Sequence, residues 1–170
     1  MASRAQKIIT KNHILQKKLP QYYCMAPVNL TSGKKHENEL EKYLQQANVN
    51  YQSNYSFQIP TDIQNLYIEQ KKRFDFLVKS KKNKLIIEAK FQDVNGTSSE
   101  KIWTSIRNLH HICALNDDKA VIVCGGSQLN DKFINVVIEN LKISPYFTHV
   151  SIIRIEEFPE FISQWKAHNN

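Results

Sequence analysis

The stretch RFDFLVKSKKNKLIIEAKFQ, residues 73–92, decides the fold. Two apolar-rich runs flank a short Lys-Asn turn, which is the pattern of a β-hairpin. With residues 80–83 as the turn, Asp75 on the first strand lies directly opposite Glu88 on the second. The stretch therefore predicts two antiparallel strands that carry an acid each, in the most sheet-like part of the chain.

Strand alternation sorts the side chains of this hairpin onto two faces. One face is apolar throughout and carries Phe74, Phe76, Val78, Leu85, Ile87, Ala89 and Phe91. The other is apolar near the turn and polar at the far end, and carries Asp75, Leu77, Ile86, Glu88, Lys90 and Gln92. A shift of one residue would mix the two sets, so the pattern favours this register.

Two facing carboxylates need an offsetting interaction, because like charges opposite each other destabilise a strand pair. A shared proton, the ammonium group of Lys90 or a divalent cation would each supply it. Mg²⁺ takes one or two carboxylates together with water and phosphate oxygens, so Asp75, Glu88 and Lys90 predict a centre for metal-assisted hydrolysis. The alternative is an ordinary ion-pair cluster on a solvated sheet face, which would contribute little stability.

The rest of the chain predicts an α/β domain with a mixed central sheet flanked by helices. A helix is expected in KKHENELEKYLQQANV, residues 34–49, and a strand in NYQSNYSFQI, residues 50–59. After the hairpin, Thr97 and Glu100 form a capping box at the start of a second helix. KAVIVC predicts a strand buried on both faces, and a helix, a strand and a closing helix follow. The predicted order is αβββαβαβα.

The arrangement Asp75, twelve residues, then Glu-Ala-Lys on the next strand resembles the PD-(D/E)xK nuclease superfamily. Members carry this motif on an antiparallel hairpin within an αβββαβ core. The resemblance implies that Asp75 and Glu88 bind Mg²⁺, for which Mn²⁺ can substitute. It also implies that the carbonyl of Ala89 adds a ligand and that Lys90 serves the attacking water. Phe74 stands where many members have proline.

Two further segments resemble the same superfamily. Many members place a glutamate on the helix before the hairpin, and Glu37 has the matching E-x-x-L-x-x-x-L spacing; Glu39 and Glu41 are alternatives. The segment KFQDVNGTSSEKI resembles the K-x-Q…G-T-x-x-E-K-I stretch of restriction-endonuclease-like members. It implies that Gln92 lies at the active site and that Lys101 approaches a phosphate. The alternatives are a polar rim residue and a solvated helix lysine.

The charge of this 170-residue chain is distributed unevenly. The net charge is +7, and seven basic residues precede the first acid, Glu37, whereas the rest of the chain is balanced. Residues 1–32 are therefore read as a basic arm that contacts nucleic acid or acts as a solubilising tail. A catalytic core at 33–125 and an extension at 126–170 complete a single predicted domain.

Several other functions and locations are disfavoured by the sequence. No apolar run approaches the roughly 20 residues of a membrane span, and the N-terminus has no secretory pattern. The three cysteines include no C-x-x-C and predict reduced thiols in a cytoplasmic protein. The four glycines form no phosphate-binding loop.

The resemblance, together with the basic N-terminal charge, implies an endonuclease that acts on double-stranded DNA. The first expectation is a type II restriction enzyme that cuts as a homodimer, beside a cognate DNA methyltransferase. Its expected DNA contacts are Lys34, Lys35, Arg73 and Lys101. The alternatives are a structure-specific nuclease, such as a junction resolvase or repair enzyme, and a DNA-binding module without catalysis.

Overall fold

The computed structural model of the chain describes residues 31–57, 72–93 and 98–169. The greater part of the predicted basic arm and the Thr97 cap lie outside these residues. In the described part of the chain, no helix is long and apolar enough to cross a membrane.

Nine helices and strands follow one another along the described chain. They are α1 (Ser32–Gln46), β1 (Asn50–Phe57), β2 (Lys72–Lys79), β3 (Lys84–Phe91), α2 (Ser98–Asn116), β4 (Lys119–Gly125), α3 (Asp131–Ile143), β5 (Val150–Arg154) and α4 (Phe158–Asn169). A 3₁₀ turn, Ile155–Glu157, connects β5 to α4. The order is the one that the sequence predicts.

The five strands form one mixed sheet in the order β1-β2-β3-β4-β5. The strands β1, β2 and β3 pair antiparallel, whereas β3, β4 and β5 pair parallel. All of β4 after Lys119 is buried, as expected of a parallel strand covered on both faces. The predicted α/β fold with a mixed central sheet is confirmed.

Helices cover both faces of the sheet. The α1 face is packed by α1 and α4, through a cluster that includes Leu40, Leu44, Phe158, Ile162, Phe76, Val78, Leu85 and Ile87. The α2 face is packed by α2 and α3, through a cluster that includes Ile102, Ile106, Leu109, Ile134, Val137, Leu77 and Ile86. Cys113 and Cys124 are buried as free thiols in the second cluster, and burial raises the pKa of each to about 12.

The β2–β3 hairpin has the predicted register. Its ladder pairs residues 76–79 with residues 84–87, from Phe76↔Ile87 to Lys79↔Lys84. The ladder ends before Asp75 and Glu88, so these acids are not a directly opposed backbone pair, contrary to the prediction. The backbone ladder stops where the acidic residues begin.

The neighbouring β1–β2 ladder is interrupted at the same point. It pairs Asn50 through Phe57 with Lys79 through Lys72, except that Asn54 and Asp75 are unpaired. Asn54 has a φ of 53°, the left-handed conformation that asparagine adopts more readily than most residues. We call this interruption the strand break.

The strand break changes which face the outer strand residues occupy. Phe76 packs on the α1 face, but Phe74 packs on the α2 face. On β1, Tyr51 likewise packs on the α1 face, whereas Tyr55 packs on the α2 face. Residues two apart share a face in a regular strand, so the predicted common face of Phe74 and Phe76 is wrong. The irregular backbone at the break reverses the alternation.

Candidate active site

The carboxylate of Asp75 lies at the strand break and connects β2 to β3 through a hydrogen bond. Its Oδ2 accepts a hydrogen bond from the backbone N–H of Ala89 at 2.7 Å. Burial raises the pKa of Asp75, and this hydrogen bond partly opposes the increase. The charge of Glu37 raises the same pKa, while Lys90 and Lys34 lower it. The side chain of Asp75 is thus surrounded by charges from α1 and β3.

Glu88 and Lys90 form an ion pair on β3. Lys90 Nζ donates to Glu88 Oε1 at 2.5 Å, and the two side chains are 26% and 15% exposed, respectively. Burial raises the pKa of Glu88; Lys90 opposes this, and the nearby charge of Asp75 adds to it. The predicted convergence of Asp75, Glu88 and Lys90 is therefore present, although the backbone ladder between the strands ends before it.

This donor set fits a hard divalent cation that keeps part of its water shell. In the contacts above, Asp75 uses Oδ2 and Glu88 uses Oε1, so the second oxygen of each carboxylate can bind a cation. Within the described residues, no group of three His, Cys, Asp or Glu side chains is placed to enclose a metal. Mg²⁺ needs no such cage, because it binds through one or two carboxylates, waters and phosphate oxygens. The carbonyl of Ala89 as a ligand stays a prediction.

Glu37 is the candidate glutamate of α1 whose charge acts on Asp75. Its Oε2 accepts from Lys34 Nζ at 2.8 Å, which keeps both side chains near the start of the helix. The alternatives have other partners. Glu39 accepts from the hydroxyl of Tyr43 at 3.2 Å, and Glu41 accepts from that of Tyr51 at 3.1 Å. The geometry favours Glu37 as the third acid.

His36 is a residue near the site that the sequence analysis missed. It is 3% exposed, and its Nε2 lies 3.1 Å from the carbonyl oxygen of Val123 on β4. A Cβ added at Gly125 would lie 2.6 Å from its ring, so the glycine makes room for the imidazole. His36 precedes Leu40 and Leu44 at helical spacing, a signal that would have placed it on the buried stripe. This contact anchors the start of α1, and hence Glu37, against the sheet.

Gln92 lies at the end of β3, where its backbone is fixed on both sides. Its N–H donates to Gly125 at 3.0 Å, and its carbonyl accepts from Gln128 at 3.0 Å. A Cβ at Gly126, where φ is 91°, would lie 2.4 Å from the Gln92 oxygen. Gln92 is half-buried two residues beyond Lys90. Its catalytic role stays a prediction.

The four predicted DNA-contacting residues occupy different environments. Lys34 is at the site, paired with Glu37. Arg73 donates to the side-chain oxygen of Asn54 at 2.8 Å, so it supports the strand break. Lys35 on α1 and Lys101 on α2 are exposed. Contact of all four with DNA stays a prediction.

Comparison with known proteins gives a family for most of the chain. Residues 29–169 match the family model described as a PD-(D/E)XK nuclease superfamily domain. No curated protein matches the sequence.

Two solved structures resemble the fold at low sequence identity. Protein VC1899 from Vibrio cholerae is 12% identical with a TM-score of 0.47, over 77% of this chain and 32% of that one. AF1548, a protein of unknown function, is 15% identical with a TM-score of 0.43, over 78% of this chain and 66% of that one. The chain thus spans about a third of the length of the first and two thirds of the second.

Proposed function

Because the chain belongs to the PD-(D/E)XK nuclease superfamily, we propose that it is a Mg²⁺-dependent endonuclease that hydrolyses phosphodiester bonds in double-stranded DNA. The observation that carries the proposal is the convergence of two half-buried carboxylates, Asp75 and Glu88, with Lys90 at the end of the β2–β3 ladder. Burial makes both charged carboxylates unfavourable without a cation. This environment suits metal-assisted hydrolysis.

Each residue of the proposed site has a distinct task. Asp75 and Glu88 hold Mg²⁺, which when bound supplies Lewis-acid stabilisation of developing charge on the phosphate and acidifies a bound water. Lys90, held by Glu88, orients the attacking water or stabilises the anion that forms. Glu37 adds negative charge beside Asp75 and increases the attraction for a cation. Gln92 and the Ala89 carbonyl complete the proposed set.

The finer proposal is a type II restriction enzyme of the cytoplasm that cuts a short duplex site as a homodimer. A two-fold dimer would match a palindromic site, and a cognate methyltransferase would protect the host DNA. The support is the basic region before Glu37, which suits phosphate neutralisation, together with the family. Lys34, Lys35, Arg73 and Lys101 are the proposed DNA contacts.

The direct test is digestion of a phage genome with the purified protein in Mg²⁺, followed by sequencing of the fragment ends. Recurrent ends at one short motif, lost in EDTA and regained with Mn²⁺, are expected. A parallel panel of linear and branched duplexes covers the structure-specific class. If the protein cuts DNA junctions but cuts linear DNA at no recurrent motif, the restriction assignment is wrong and the nuclease assignment stands. DNA binding without cleavage of any substrate would contradict the nuclease proposal.

A further inference from the structure

The strand break places Lys72 on the same face of the sheet as Glu88 and Lys90. Lys72 pairs with Phe57, which packs on the α2 face, as does Phe74. Glu88 and Lys90 pair with Ile122 and Cys124, which also belong to the α2-face cluster. In an unbroken β2 strand, Lys72 would share the α1 face with Phe76. The break therefore brings a second lysine to the acids of β3.

Lys72 has a crowded electrostatic environment. Burial lowers its pKa, the charge of Glu88 opposes that effect, and the cations Lys90 and Arg107 add to it. Arg107 projects from α2 and is exposed. Two cations, Lys90 and Lys72, thus act on Glu88, whose Oε1 is already bonded to Lys90, and Arg107 acts on Lys72.

The charges of the site are unevenly distributed around the two carboxylates. Beside Asp75, burial and the charge of Glu37 raise the pKa of Asp75, and both effects favour a bound cation. Beside Glu88 lie the two cations Lys90 and Lys72, and Arg107 acts on Lys72. Lys72 and Lys90 are half-buried and have the same charge, so a counter-ion stabilises them, and DNA phosphate is the anion that the proposed substrate supplies. The cations beside Glu88 can therefore bind a phosphate of the substrate next to the metal that Asp75 and Glu88 hold.

We propose that Lys72, assisted by Arg107, binds a DNA phosphate adjacent to the one being hydrolysed and acts as a positioning residue. This inference rests on the proposed function and adds a specific substrate contact to it. Lys90 is held against Glu88 for the chemical step, whereas Lys72 on the neighbouring strand fixes the register of the DNA backbone. Contacts to phosphate position a duplex without reading its sequence, so the effect should not depend on the recognition motif.

The test is equilibrium binding of a short duplex over a range of KCl concentrations, with Ca²⁺ replacing Mg²⁺. Lys72→Ala should weaken binding about five- to tenfold and reduce the slope of log K against log salt by about 0.9, the value for one phosphate contact. Lys72→Arg should restore most of the affinity and slope. Lys132→Ala, an exposed lysine on α3, is the matched control and should change neither. In cleavage assays, Lys72→Ala should raise KM more than it lowers kcat.

The outcomes separate this contact from the nuclease proposal. An unchanged salt slope in Lys72→Ala, in a protein that still cuts, overturns the phosphate contact and leaves the nuclease standing. A slope that changes as expected, in a protein that cuts no DNA, supports the contact and contradicts the nuclease. Failure of Lys72→Arg to restore the slope would indicate that Lys72 only supports Glu88, and would also overturn the contact.

Discussion

The two halves of the β2–β3 hairpin differ more than their sequences suggest. In the closed half, residues 76–79 pair with 84–87, and the apolar side chains are buried on both faces of the sheet. In the open half, the backbone pairing stops, Asp75 accepts from a main-chain N–H, and Glu88 pairs with Lys90. One pair of strands thus serves as core at one end and as candidate active site at the other. Ionised groups are tolerated where the ladder ends, because charges and backbone donors there can satisfy them.

The largest expected effect is on cleavage, and it compares lysines from the two halves. Lys90→Ala should reduce the DNA cleavage rate by about 10²–10⁴-fold, the range for loss of a positioned acid–base or electrostatic group. Lys79→Ala, an exposed lysine in the closed half, is the matched control and should cut normally. The measurement is the single-turnover rate in Mg²⁺, with circular dichroism as the folding check. Equal cleavage rates for the two variants would show that Lys90 of the open half has no greater role in cleavage than Lys79 of the closed half.

The next effect is on stability and concerns the closed half. Ile87 is 0% exposed, so Ile87→Ala should lower the free energy of unfolding by about 2–5 kcal/mol through lost burial and the cavity left behind. Urea denaturation measures this change, and Lys79→Ala should leave the midpoint nearly unaltered. A loss below about 1 kcal/mol for Ile87→Ala would mean that the closed half is not tightly packed core.

The smallest expected effect is an increase in the free energy of unfolding, and it concerns a residue of the open half. The folded-state pKa of Asp75 is raised, chiefly by burial, so its contribution to stability declines as pH rises from its ordinary value of 3.8 through the folded-state pKa. At pH 7 in EDTA, Asp75→Asn should therefore stabilise the protein by about 0.5–1 kcal/mol. The advantage should disappear below pH 3.8.

The melting temperature in the presence of Mg²⁺ tests the metal-binding role of the open half without an activity assay. The wild type should gain thermal stability as Mg²⁺ is added, because a ligand that binds only the folded state stabilises it. Asp75→Asn should gain much less. If the wild type melts at the same temperature with and without Mg²⁺, Asp75 is not a metal ligand.

Much of this architecture could be predicted because strand alternation is a local property. The apolar pattern around the hairpin was sufficient to place its turn and the register of the closed half. The motif spacing predicted Asp75, Glu88 and Lys90 as site residues; the structure brings them together, and their roles stay a prediction. The side of the sheet taken by Phe74 could not be predicted, because it depends on the backbone of Asn54, a residue distant in sequence. The role of His36 was hidden for a related reason, since its partners Val123 and Gly125 lie on β4.

The strand break changes the face of the sheet on which the end residues of β1 and β2 pack, without adding or removing a residue. Pairing resumes beyond Asn54 and Asp75 in the register that it had before, from Tyr55↔Phe74 to Phe57↔Lys72. A conventional bulge would insert a residue and shift every later partner. Here, the side chains beyond the left-handed Asn54 change from the α1 face to the α2 face while the chain length is conserved. The side chain at a given position of such a strand can therefore change from one face of the sheet to the other through substitutions alone, without an insertion.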